Sequence, residues 1–114
     1  MKRFPVAGKG RCSAVVSRGL VYAVATDPIC AESVSEQTLN TLHELDRVLT
    51  NAGSGKAGLV QATVYLSDIS NKTDMDSVWC EWIGPEENWP QRACVGVDLD
   101  DRYLIEIVVV ATVL

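Results

Sequence analysis

With 114 residues the chain has the length of one domain and no room for a second, so residues 1–114 are read as one folding unit. Lys+Arg 10 against Asp+Glu 15 leaves a net charge of −5, which works against sequence-independent attraction to nucleic acid. A domain this small buries only about two-thirds of its unfolded surface, so part of the 47% hydrophobic share is expected at an interface with another chain.

Near the N-terminus, Arg11 and Arg18 interrupt any continuous apolar signal segment, and an unprocessed, cytoplasmic chain is expected. Residues 19–26 (GLVYAVAT) form a Val-rich apolar run closed by Asp27-Pro28, which predicts a strand. Ser33 and Glu36 then have capping-box spacing, and Leu42, Leu45, Val48, Leu49 and Ala52 make one stripe before Gly53, which predicts a long helix. Residues 59–67 alternate, with Val60, Ala62, Val64 and Leu66 expected on the core face. A second helix, capped by Asn71 or Thr73, carries Met75, Val78, Trp79 and Trp82 along one stripe until Gly84-Pro85 stop it.

After a loop over residues 84–90, strands are predicted at residues 91–97 and 103–114, giving the order β-α-β-α-β-β and an α+β class. The last strand is apolar on both parities and must be covered on both faces. Two helices cover one face of such a sheet; another copy of the chain is expected on the other. The longest apolar run, residues 107–111, is far short of the roughly 20 residues of a membrane-spanning helix.

Motifs for common chemistries fail on inspection. GSGKAG (residues 53–58) has Thr50 in place of the first Gly of a phosphate-binding loop and Ala57 in place of its Ser or Thr, and it follows a helix rather than a strand. His43 is on the polar side of the first helix, no GxSxG turn is present, and Cys12, Cys30, Cys80 and Cys94 lack the spacing of a zinc site. Arg92 stands apart: it opens a strand otherwise uncharged as far as Val97 and shares a face with Cys94 and Gly96. A guanidinium there needs an anionic partner, either an internal carboxylate or that of a bound ligand, whose two oxygens fit its planar fork.

Several segments together resemble the Rid (YjgF) family of reactive-intermediate deaminases: the first hairpin containing Gly19, residues 36–68, MDSVWCEW at residues 75–82, PQRACVGVDL at residues 90–99, and the terminal YLIEIVVVA. The sequence is most similar to the YoaB-type branch. The resemblance implies a chorismate-mutase-like subunit, a mixed sheet with two helices on one face, three such sheets meeting as a trimeric barrel, and pockets between neighbouring subunits. It also implies hydrolysis of 2-imino or enamine acids to 2-oxo acids and ammonia, with no metal or organic cofactor and Arg92 holding the substrate carboxylate. Cys94, Ala25 and Cys12 would line that pocket, the last two replacing a serine and a tyrosine.

Where the resemblance puts a water-positioning Glu, as the second of a Glu-x-Glu pair, this chain has Val108; Glu106 lies on the same face, roughly 7 Å away. Arg92 and Glu106 are therefore the catalytic candidates. Two functions remain open: an imine deaminase with altered machinery, or a non-catalytic trimer that binds small carboxylates as a sensor or regulator. Ribonuclease activity, a third, is disfavoured by the acidic charge.

Overall fold

A computed structural model describes all 114 residues. Six strands form one sheet: β1 (Lys2–Pro5), β2 (Cys12–Ser17), β3 (Leu20–Ala25), β4 (Leu59–Leu66), β5 (Gln91–Gly96) and β6 (Ile105–Thr112). Their lateral order is β1-β2-β3-β6-β4-β5, and β4 with β5 is the only parallel pair, so the sheet is mixed. The two N-terminal strands lie outside the β-α-β-α-β-β order, although β2 with β3 forms the Gly19 hairpin that the resemblance implies. Lys2–Pro5 is short, charged and mostly exposed, and it becomes a strand only by pairing with β2.

Helix α1 (Val34–Asn51) starts where the sequence places it, with Ser33 Oγ accepting from the Glu36 N–H at 3.1 Å. Its stripe packs inward: Leu42, Leu45 and Leu49 are fully buried. Helix α2 (Lys72–Ile83) buries Met75, Trp79 and Trp82, with Val78 half-buried. Asn71 takes the N-cap position, as expected, but its side chain makes no capping hydrogen bond. Asp68 instead accepts from the Ser70 N–H and caps the 3₁₀ turn Ile69–Asn71 that leads into α2.

The alternation expected in β4 is shifted at its start. A bulge between Leu59 and Gln61 turns Leu59 inward and leaves Val60 49% exposed, after which Ala62, Val64 and Leu66 face the core as predicted. One extra residue reverses which side chain points inward.

Both helices pack on one face of the sheet, where 22 buried residues form the core. In β6, Ile105, Ile107, Val109 and Ala111 face this layer. The opposite face has no covering element: Tyr22 is 47%, Val95 41% and Val108 37% exposed. No helix is long and apolar enough to cross a membrane.

Candidate functional site

Two buried polar side chains that the sequence reading missed brace the loops at the ends of the strands. Asp27 takes hydrogen bonds from Ile29 N (2.7 Å), Ala31 N (2.9 Å) and Asn40 Nδ2 (3.2 Å). Burial alone would raise this carboxyl, but the hydrogen bonds outweigh it and hold the group below its usual range. Gln37 Nε2 donates to the carbonyls of Ala31 and Arg102, while its Oε1 accepts from Leu104 N. A helix residue thus ties the segment after β3 to the segment before β6. Nothing in the local pattern marks Gln37 for this, because one partner is 65 residues away.

These braced loops border an open cavity of about 810 Å³. Cys12, Ala25 and Glu106 all line it, with Thr26, Asp100 and Tyr103. Three of the five residues singled out in the sequence are therefore brought together. Val108 does not line this cavity; it stands in the middle of the open face, between Val24 and Thr63.

Arg92 and Cys94 lie elsewhere. Strand β5 is the sheet edge, and its register sets Arg92 beside Ala62 and Cys94 beside Val64, both core-facing. Glu106 pairs with Tyr65, on the opposite face, in a strand two places away. Two strand spacings are about 10 Å, and the sheet stands between the side chains. Within one chain, Arg92 and Glu106 do not share a site.

The environment of Arg92 is built by α2. Its Nη2 donates to Asp76 Oδ1 at 2.7 Å, its Nη1 lies 3.8 Å from Met75 Sδ, and its guanidinium carbon is 5.2 Å from the Trp79 ring centroid. Lys72 Nζ holds the other Asp76 oxygen at 2.8 Å. Burial would raise the Asp76 carboxyl, yet the hydrogen bonds from Lys72 and Arg92 prevail and lower it. The anionic partner within the chain is thus an internal carboxylate. A guanidinium has five N–H donors, and this pair engages only one edge of the fork.

Burial pushes the Cys94 thiol up, against the pull of Arg92 and Lys72. It stays protonated near neutral pH, which suits a pocket wall better than a nucleophile. No three His, Cys, Asp or Glu side chains come together as a metal-binding group. Lys56, the cation of the GSGKAG segment, donates to the Trp82 carbonyl at 2.8 Å and lies over the Trp82 ring, bracing the end of α2. His43 is exposed on α1.

Residues 9–113 match the family model described as endoribonuclease L-PSP. The RutC family protein YoaB of Escherichia coli is 37% identical over 100 residues, 87% of each chain. The crystal structure of a YjgF-family protein from Neisseria meningitidis superposes with a TM-score of 0.90 at 30% identity, covering 97% of this chain and 92% of the other. YyfA from Yersinia pestis, of the Rid protein family, gives 0.85 at 26% identity, with coverage of 99% and 95%.

Proposed function

The chain belongs to the endoribonuclease L-PSP family, the YjgF/Rid group, and from that premise we propose that it works as a homotrimer hydrolysing small 2-imino acids at sites between subunits. The observation that carries this reading is the division of the candidate residues. Arg92 and Cys94 are on one edge of the sheet, while Cys12, Ala25 and Glu106 line a separate cavity bounded by β2, β3, β6 and α1. A neighbouring copy laid against the uncovered face supplies the missing half to each. The exposed Tyr22, Val95 and Val108 give that contact an apolar surface.

In such a site Arg92 anchors the carboxylate and fixes the imine carbon for attack. Water adds to the C=N+ carbon as Glu106 takes its first proton, and that proton passes to nitrogen. The C–N bond then breaks to release ammonia as Glu106 takes the second proton from the carbinol hydroxyl. Passing that proton to ammonia leaves the 2-oxo acid and ammonium. The cavity position of Glu106 favours it as the water-handling group, and Val108 at the open face is then an interface residue. Cys94 and Cys12 serve as small walls.

A second reading, a non-catalytic carboxylate-binding trimer, is favoured by one feature: Val108, which has no acid–base chemistry, stands at the position that the resemblance gives to the water-positioning Glu. Ribonuclease chemistry fits less well, since the one histidine is exposed on α1 and the net charge is −5.

The deciding experiment generates iminopropionate from serine with a dehydratase and follows its capture by semicarbazide. Faster imine loss with the wild-type protein, falling at least about a hundredfold in Arg92→Ala and in Glu106→Gln, is expected. No acceleration by the wild type, together with pyruvate binding that disappears in Arg92→Ala, would establish the non-catalytic reading instead.

A further inference from the structure

Beside Arg92 there is a second cavity, of about 340 Å³, distinct from the one that Glu106 lines. Trp79, Ile83, Trp89 and Pro90 form its walls, and Arg92 and Asp76 stand at its polar end. Its volume lies in the range of small-molecule pockets, and its walls are apolar and aromatic with the charge confined to one side.

The walls are held in place before any ligand arrives. Trp89 is 60% exposed, which is unusual for so large an apolar ring, yet its indole N–H donates to the Gly84 carbonyl at 3.0 Å. Asn88 Nδ2 donates to the Ile83 carbonyl at 2.9 Å, fastening the same loop to the end of α2. Gly84 makes the reversal at φ 74°, a conformation that side-chain-bearing residues rarely adopt. Trp79 is fixed from behind by Trp82, with ring centroids 5.3 Å apart. The exposed tryptophan and the buried one line the same cavity and make it a largely apolar slot.

Asp76 gives one carboxylate oxygen to Arg92 and the other to Lys72, and of the three only Asp76 and Arg92 line the cavity. Sharing its counter-ion with a second cation leaves the arginine only partly neutralised and able to take an anion. The free edge of the guanidinium can receive that anion while Asp76 keeps the arginine in place.

We propose that the ligand of Arg92 is a 2-oxo or 2-imino acid with an aromatic or similarly bulky apolar side chain, seated against Trp79 and Trp89 while its carboxylate rests on Arg92. This rests on the carboxylate-binding reading above and adds the substrate class. A methyl group, as in pyruvate or iminopropionate, leaves the slot unfilled; a phenyl ring stacks in it and removes its walls from water.

The test is calorimetric titration of the intact protein with pyruvate and with phenylpyruvate, in the wild type and in Trp89→Ala, Trp89→Phe and Arg92→Ala. Phenylpyruvate is expected to bind at least about tenfold more tightly than pyruvate. That ratio should collapse to within about twofold in Trp89→Ala and largely return in Trp89→Phe, while Arg92→Ala loses both ligands. Trp89 lies outside the 22-residue core, so its truncation leaves the fold intact. Equal affinities in the wild type, or a preference that survives Trp89→Ala, would overturn the aromatic slot while leaving the carboxylate reading standing. Binding of both ligands untouched by Arg92→Ala, or no binding at all, would sink the two together.

Discussion

Arg92 drew notice in the sequence as a lone charge on an apolar strand, and its partner turned out to be Asp76, 16 residues earlier on another element. In a sequence, Asp76 is one more acid on the polar side of a helix. Only the packing of α2 against the sheet edge makes it the arginine's counter-ion. Because its folded pKa is lowered, Asp76 contributes stability that is fully present above its unfolded value of about 4 and is lost as pH falls through the folded value. The stability difference between the wild type and Asp76→Asn should therefore be constant from pH 7 to pH 5 and shrink below about pH 4. Urea unfolding at a series of pH values measures it, and a difference growing on acidification would contradict the assignment. Asp27 is lowered in the same direction and remains in both proteins, so it cancels in that comparison.

Among the elements, those legible in the sequence were the ones whose pattern is local. The Ser33 cap, the α1 stripe and the apolar run of β6 all follow from residues within a turn or two of each other. The start of β4 was misread because a bulge answers to the partner strand, not to the strand's own alternation. Strand β1 is not legible because the four residues KRFP carry no strand signal of their own and pair only once β2 is in place. GSGKAG is a further case in which contact, not motif, explains the residues. Gly58 is buried where a Cβ would lie 2.6 Å from the Thr112 carbonyl oxygen, so the chain needs glycine to reach the end of β6. Gly58→Ala should cost about 2 kcal/mol of stability, read as a lower urea midpoint with an unchanged slope. A neutral result would mean that the two segments can separate without penalty.

For the whole molecule, the sequence correctly gave an α+β subunit, with a mixed sheet and two helices on one face, but not the position of the site residues relative to one another. Placing β4 between β5 and β6 is what separates Arg92 from Glu106, and strand order is not written in any local pattern. The double-sided apolar character of β6 carried the one long-range signal, and the exposed Val108 is its structural counterpart. If that face is closed by other copies, Val108→Asp buries an unpaired carboxylate in the contact, costing several kcal/mol per interface. Sedimentation velocity should then show the wild type as a trimer and Val108→Asp as a monomer at micromolar concentration. A variant sedimenting like the wild type would place the contact elsewhere.

The separation of Arg92 and Glu106 on the two sides of one sheet has a genetic reading as well. If each working site draws one residue from each of two neighbours, alleles carrying Arg92→Ala and Glu106→Gln are individually null yet complement one another. In randomly mixed trimers, about one interface in four pairs an intact Arg92 with an intact Glu106. Co-expression of the two null alleles should therefore restore about a quarter of wild-type activity, whereas a site contained within a single chain would leave the mixture as inactive as either parent.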